Sequence, residues 1–273
     1  MSKLRKVRVC DIEFSEKNLV LIAGPCVIES RKVVFETCDF LKSLTKKLNL
    51  PFIFKASFDK ANRTSINSFR GPGLKEGLKI LKEVKKNFKV PVTSDIHCST
   101  QAEPASLVLD LIQIPAFLFR QTDLLLSAAK TQKPINVKKA QFASPYDCKF
   151  CAEKIFSVNN KNVIFTERGT FFGYNNLVVD FRSLKIIQDL GFCTVFDGTH
   201  SVQLPSSQKG VSGGQREFVP GLVRAAVAFG CQGIFLEVHP SPQKALSDKY
   251  TMLDFKETET LLKEVKKIWE QVK

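Results

Sequence analysis

The sequence predicts a (β/α)8 barrel, on three observations. Eight short runs rich in β-branched and aromatic residues recur along the chain, at 19–24, 52–57, 90–96, 111–115, 135–139, 163–167, 194–197 and 234–238. Helix-like stretches lie between them, and eight such pairs in roughly 250 residues is the count and length of that barrel. The main competitor, an open doubly wound sheet, usually has fewer strands and a Gly-x-Gly-x-x-Gly turn after the first, which this chain lacks. No low-complexity linker or charge block divides the sequence, so residues 1–273 read as one domain.

The elements follow in order. Val7-Arg8-Val9 and Ile12-Glu13-Phe14 alternate, which suits a small hairpin closing the barrel bottom. Residues 30–48 start at Ser30 and place Val34, Cys38, Leu41, Leu44 and Leu48 on one helical face. Residues 73–88 carry a similar stripe from Leu74 to Phe88. Thr100-Gln101-Ala102-Glu103 reads as a capping box, and Ser144-Pro145 as an N-cap followed by Pro at the first helical position. Gly191 and Gly230 fall where helices should stop. Residues 255–272 place Leu261, Leu262, Val265, Ile268, Trp269 and Val272 on one side of a last helix.

Composition narrows the class. With 41 Lys+Arg against 27 Asp+Glu the net charge is +14, while 44% of residues are hydrophobic and 23 are Phe. So much apolar surface excludes a disordered chain. The charge fits nucleic acid, anionic membranes or phosphorylated substrates, and equally a lysine-rich solvated surface. The longest apolar run, 19–28, falls short of the ~18 residues of a membrane span and is broken by Gly24-Pro25. The basic start Lys3-Leu4-Arg5-Lys6 leads into no apolar signal core, so a cytoplasmic protein is expected. Eight cysteines then read as reduced thiols, and Cys148-x-x-Cys151 has no second pair at zinc-finger spacing.

In such a barrel, chemistry sits at the C-terminal ends of the strands. There the sequence places Cys26; Lys55, Ser57, Lys60, Asn62, Arg63 and Thr64; Asp95 and His97; Gln113, Phe117 and Arg120; Lys138 and Gln141; Arg168; His200; and Glu237, with Asp248 beyond. All three histidines of the chain fall at strand ends. Strands becoming polar as they reach water would explain some of these residues, but not that histidine placement. Lys55, Lys60, Arg63, Arg120, Lys138 and Arg168 form a cationic set suited to more than one phosphate or carboxylate. No Walker A pattern is present, so a nucleotide is not indicated. The seventh, eighth and first strands become neighbours on closure, which would bring Cys26, His200, Glu237 and Asp248 together. Thiolate, imidazole and carboxylate suit a divalent transition metal of the Zn, Fe, Mn or Co type. A buried cysteine and a hydrogen-bonded histidine are the plain alternative.

At these motifs the chain resembles the 3-deoxy-D-manno-octulosonate 8-phosphate synthases (2-dehydro-3-deoxyphosphooctonate aldolases). The resemblance rests on Ala23-Gly24-Pro25-Cys26, on Phe54-Lys55-Ala56-Ser57-Phe58-Asp59-Lys60-Ala61-Asn62-Arg63-Thr64-Ser65 and on Gln113-Ile114-Pro115-Ala116-Phe117. It continues through Arg120-Gln121-Thr122-Asp123, Asn136-Val137-Lys138-Lys139, Phe172-Gly173-Tyr174-Asn175-Asn176 and Ser212-Gly213-Gly214-Gln215-Arg216. It implies a barrel enzyme, commonly a homotetramer, that condenses phosphoenolpyruvate with D-arabinose 5-phosphate and releases inorganic phosphate, for the lipopolysaccharide inner core. By position, Lys55, Lys138 and Arg168 resemble the phosphoenolpyruvate clamp, with Lys60, Gln113 and Gln141 around it. Asn62, Arg63 and Thr64 resemble the sugar-phosphate contacts, and Arg120 the arginine that reaches a neighbouring protomer. The Ala-Asn between Lys60 and Arg63 departs from the single Pro typical of the seven-carbon synthase. Cys26, with His200, Glu237 and Asp248, resembles the metal-dependent branch, whose counterpart carries Asn at that cysteine. Lys249-Tyr250 departs from the Gly-Pro that members often have there. Asp95, His97, Lys60, Lys138 and His200 are the candidates for proton traffic and catalysis.

Two other classes fit the residues less well. A Schiff-base aldolase would use Lys138 or Lys55 as nucleophile, but the surrounding cations read as an anion clamp. A nucleic-acid binder needs a basic stripe with exposed aromatics, whereas the lysines here are spread over the helices. Neither nucleic acid nor membrane is expected as a partner.

Overall fold

The chain opens with a hairpin and then closes a barrel. In the computed structural model, which describes residues 3–208 and 211–273, β1 (Val7–Val9) and β2 (Ile12–Phe14) pair antiparallel. The first barrel strand β3 (Val20–Gly24) follows, then α1 (Arg31–Leu48), β4 (Phe52–Lys55), α2 (Leu74–Phe88), β5 (Val92–Asp95) and α3 (Ala102–Ser106). The middle comprises β6 (Leu111–Ile114), α4 (Thr122–Lys130), β7 (Ile135–Lys138), α5 (Cys148–Phe156) and β8 (Val163–Glu167). A small β9–β10 hairpin (Thr170–Phe171, Leu177–Val178) precedes α6 (Arg182–Asp189) and β11 (Thr194–Asp197). A second, β12–β13 (Gln203–Gln208, Val211–Gly214), precedes α7 (Val219–Phe229), β14 (Gly233–Glu237) and α8 (Phe255–Val272). Strands β3, β4, β5, β6, β7, β8, β11 and β14 form a closed barrel of parallel pairs.

Side-chain parity splits each strand between two cores. Leu21, Phe54, Val137, Phe165, Phe196 and Leu236 point outwards and join the helices in the main core. Val20, Ile22, Ile53, Leu111, Ile164, Val195 and Phe235 point inwards and pack with Val7, Val9, Ile12 and Phe14 of the hairpin, which plugs the floor. Above this plug Thr166 Oγ1 donates to Asn136 Oδ1 at 2.6 Å, and Asn136 Nδ2 donates to Gln113 Oε1 at 3.3 Å. Parity also separates two adjacent lysines. Lys138 enters the barrel mouth, while Lys139 lies fully buried behind it, donating to the carbonyls of Ala140 and Ala143 and lying 3.6 Å from Glu167.

Helix ends show where local signals held. Ser30 accepts from Val33 N, and Gly230 caps α7 with a left-handed backbone. The expected box at Thr100 does not form. Ser99–Gln101 is a 3₁₀ turn entered from Cys98, so Thr100 lies inside the turn, its hydroxyl 3.2 Å from Cys98 Sγ. Ser144-Pro145 opens a 3₁₀ turn, Pro145–Asp147, and α5 starts only at Cys148. The full capping box sits at Asp254 and Glu257. The expected strands at 52–57 and 90–96 are shorter, because Ser57 and Ile96 belong to the loops that carry the mouth. Among the described residues, no helix is long and apolar enough to cross a membrane.

Candidate active site

The mouth is a cavity in two tiers. A deep chamber of about 70 Å³ is lined by Lys55, Lys60, Asp95, Gln113, Lys138 and Arg168, among others. An outer cavity of about 360 Å³ shares Lys60, Asn62, Phe117, Gln141, Arg168 and His200 with it, so the chamber opens through the cavity. The outer walls come from the β4 loop (Asn62, Arg63, Thr64), the β12–β13 hairpin (Ser206, Ser212) and the loop after β14 (Ser247, Asp248, Lys249, Tyr250). Gly24 permits the closure at the rim: a Cβ there would lie 2.0 Å from Lys55 O.

Three of the expected cations, Lys55, Lys60 and Lys138, pair with two buried carboxylates here, Glu237 and Asp197. Lys55 Nζ donates to Cys26 O at 2.8 Å and lies 3.2 Å from Glu237 Oε1, and Lys60 Nζ approaches the same oxygen at 3.8 Å. Lys138 donates to Asp197 Oδ2, which also accepts from His200 Nδ1 at 2.7 Å, while Asp197 Oδ1 accepts from His200 N at 2.9 Å. Lys138 Nζ also stands 3.5 Å from the centre of the Phe235 ring of the inner core. Arg168 Nη2 donates to Gln203 Oε1 at 2.8 Å. Arg63 donates to Ser247 Oγ and has no carboxylate partner among the described residues.

The site sits in low dielectric, and ionisation follows from that. Burial pushes Glu237 upward, but His200, Lys55 and Lys60 outweigh it and hold its carboxyl well below the usual range. Asp95 is likewise held well down against burial, by its hydrogen bond to His97 and by Lys60. Burial lowers Lys138 from its ordinary value despite Asp197, and burial also lowers Arg168. For Lys60 burial is again the largest influence and opposes the charge; Cys26, Glu237, Asp95 and Asp248 outweigh it and raise the ammonium. Asp95 Oδ1, Gln141 Oε1 and Arg168 Nη1 are buried without a hydrogen-bond partner, on three residues that line the chamber. Such orphans are what a polar ligand would satisfy.

A second cluster lies at the β14, β3 and β11 ends. Cys26 Sγ donates to Asp248 Oδ2 at 2.9 Å and lies 2.8 Å from Ser247 Oγ. Single donor atoms of Cys26, Glu237 and Asp248 all fall within 4.8 Å of one another. His200 Nε2 is 3.3 Å from Glu237 Oε1 and 3.9 Å from Asp248 Oδ2. Asp197 holds Nδ1, so Nε2 is the ring nitrogen turned to the two carboxylates and the one that could serve as a ligand once deprotonated. Glu237 Oε2 is buried with no partner. Burial, followed by Asp248 and Glu237, pushes the Cys26 thiol well up, and Lys60 and Lys55 oppose this only in part. One sulfur, one imidazole and two carboxylates in this spacing fit a divalent transition metal.

Most expected site residues converge, with three exceptions. Arg120 does not line the cavity: its side chain is 66% exposed and pairs outward with Asp147 at 3.0 Å, because it sits on the turn into α4. The mouth therefore holds five of the six expected cations. His97 stands behind Asp95 rather than in the cavity, 3.1 Å from Asp95 Oδ2 and edge-on to Phe58. Ser57 is fully buried off the cavity wall, its backbone bridged to Val27. His239, the third strand-end histidine, is also withdrawn. Its Nδ1 accepts from Ser241 N at 3.0 Å and its Nε2 lies 3.5 Å from Glu29. Three further participants are Asp197, which the sequence places at the end of the seventh strand without a role, and Gln203 and Ser247, which it does not indicate. Strand parity could have found Asp197, two positions beyond inward Val195. Gln203 opens the β12–β13 hairpin and Ser247 lies in the loop after β14, neither with a pattern to place it.

A family model described as the DAHP synthetase I family matches residues 11–273. The chain is 55% identical to a 2-dehydro-3-deoxyphosphooctonate aldolase of Geotalea uraniireducens, over 93% of each chain. It is 56% identical to one from Desulfosudis oleivorans, over 89% of this chain and 88% of the other. The enzyme of the same name from Geobacter sulfurreducens is 53% identical over 93% of each. Fold, cavity and sequence thus agree: the chain belongs to the DAHP synthetase I family and, within it, to the 2-dehydro-3-deoxyphosphooctonate aldolases.

Proposed function

We propose that the chain condenses phosphoenolpyruvate with D-arabinose 5-phosphate and water, giving 3-deoxy-D-manno-octulosonate 8-phosphate and inorganic phosphate for the lipopolysaccharide inner core. The observation that carries it is the tiered cavity. Lys55, Lys60, Lys138 and Arg168 wall a small chamber that opens into a larger cavity holding Arg63. Two anionic reactants repel each other in water, and fixed cations in a low-dielectric cleft offset that repulsion and hold both in register. Phosphoenolpyruvate takes the deep chamber, its carboxylate and phosphate against Lys138, Arg168 and Lys60, with Gln113 and Gln141 beside it. The aldose phosphate lies outside, with Asn62, Arg63 and Thr64 at its phosphate and Phe117 at the junction. C3 of phosphoenolpyruvate attacks the aldehyde carbon, water adds at C2, and the hemiketal phosphate expels phosphate by C–O cleavage. Lys138, His200 and Asp197 share a continuous set of hydrogen bonds that can hold or move a proton, and Asp95 with His97 behind it forms a second.

Cys26, His200, Glu237 and Asp248 would hold a divalent transition metal. Such an ion would supply Lewis acidity beside the aldehyde. Arg120, exposed and turned away from its own cavity, supports a homotetramer in which it serves a neighbouring site. Eight free thiols agree with a cytoplasmic setting.

The test is phosphate release with both substrates. Release with erythrose 4-phosphate and none with arabinose 5-phosphate would move the assignment to the seven-carbon reaction. Activity that survives exhaustive chelation would remove the metal from the scheme, and Cys26→Asn should then be silent.

A further inference from the structure

Arg168 and Asp248 stand on opposite sides of one amide. Arg168 Nη2 donates to Gln203 Oε1 at 2.8 Å, and Gln203 Nε2 donates to Asp248 Oδ1 at 3.1 Å. The contacts run on at both ends. Asp248 Oδ2 accepts from Cys26 Sγ at 2.9 Å, and Arg168, which lines the deep chamber, keeps Nη1 buried without a partner. The backbone of Gln203 is fixed. It follows the 3₁₀ turn His200–Val202 and pairs with Gly214 across the β12–β13 hairpin, and Gln215 N donates to the neighbouring Val202 O at 3.0 Å. An amide suits this place, because it offers an acceptor to the guanidinium and a donor to the carboxylate at once. With no amide between them, guanidinium and carboxylate are free to pair with each other.

We propose that Gln203 is a positioning residue that couples the anion clamp to the metal ligands: phosphoenolpyruvate at Arg168 tightens the hold of Asp248 on a divalent metal, and the reverse. The inference rests on the proposed condensation and its metal ligands, and adds a link between them. An anion at Arg168 fixes the guanidinium and, through it, Gln203 Oε1. A fixed Asp248 carboxylate holds Gln203 Nε2 in the same way. Whichever end is fixed first orders the amide, so the second ligand need not. Ordering a side chain of this length is worth about two- to tenfold in a binding constant.

The test is a Co²⁺ titration of the full-length, metal-free protein with and without phosphoenolpyruvate, followed through the thiolate-to-cobalt absorption that Cys26 would give. No aldose is added, so nothing turns over. Phosphoenolpyruvate should tighten Co²⁺ about tenfold in the wild type. In Gln203→Leu and Gln203→Asn, whose side chains cannot serve both partners, the factor should fall to about threefold or less, the remainder being direct attraction between anion and ion. Calorimetric titration of phosphoenolpyruvate with and without Co²⁺ should return the same factor for each protein, because linkage is reciprocal. A wild-type factor near one overturns the inference, and so does the full wild-type factor retained in either variant. The latter marks a side chain that merely supports the loop, since a structural loss weakens each ligand alone and leaves their ratio intact. Both outcomes leave the condensation standing. A wild type that binds no Co²⁺ overturns the metal reading together with the inference, and one that binds no phosphoenolpyruvate overturns the condensation as well.

Discussion

Asp197→Asn should cost the fold about 3 kcal/mol. Asp197 is fully buried and its two oxygens serve three donors: Lys138 Nζ, His200 Nδ1 and His200 N. Removing one partner of a buried ion pair costs about 3–5 kcal/mol, because the other charge is left uncompensated. Asparagine keeps the volume and one acceptor, which favours the low end. It also places an amide N–H against an ammonium or an imidazole N–H, so one donor must lose its partner. Burial already lowers Lys138, so the lysine can shed its proton and recover part of the loss, which keeps the estimate from rising further. Urea unfolding followed through the single tryptophan, Trp269, buried on α8, measures this as a lower midpoint at an unchanged slope. A loss below about 1 kcal/mol would refute the reasoning, since it would mean that Lys138 and His200 do not depend on this carboxylate.

Three further outcomes are expected. Glu29 Oε1 accepts from Leu246 N at 2.9 Å and its other oxygen faces His239, so it ties the loop carrying Asp248 to the loop carrying Cys26. Glu29→Gln should weaken metal retention about tenfold, read as metal content after dialysis against graded chelator, and wild-type retention would contradict this tie. Cys10 and Cys98 are exposed while the other six thiols are buried, Cys151 being pushed up to about 12 by burial. A thiol reagent at pH 8 should therefore titrate two groups in the native protein and eight in denaturant, and a third fast thiol would contradict the burial. Asp95 is held below its ordinary value, so its contribution to stability is complete above about pH 4 and is lost as pH falls through the folded value. The midpoint gap between the wild type and Asp95→Asn should shrink from pH 7 to pH 3, and a gap that widens on acidification would reverse the sign.

The barrel was legible because its signals are periodic and repeated eight times. Val20, Ile22 and Phe235 on one parity, and Leu21, Phe54 and Leu236 on the other, are written directly in the strand runs. The mouth was legible because strand ends announce themselves: Lys55, Lys138, Arg168 and Glu237 all line or face it. What escaped was set by tertiary context. Thr100 carries the residue pattern of a cap, yet the chain turns through 3₁₀ geometry there. Arg120 and Arg63 look alike in sequence, but one is aimed outward by the turn before α4 and the other inward by the β4 loop. Gln203 and Ser247 reach the site from a hairpin and a coil that carry no period at all. His97 and His239 occupy strand ends as expected, but their rings point into second-rank positions that spacing alone does not encode.

The plug made by Val7, Val9, Ile12 and Phe14 has a kinetic consequence. With the floor sealed by the hairpin, nothing enters from below, and the outer cavity, which shares six wall residues with the deep chamber, is an approach to it. An occupant of the upper tier would stand in that approach. Stacking of this kind favours a last in, first out order, with the lower tier filled first.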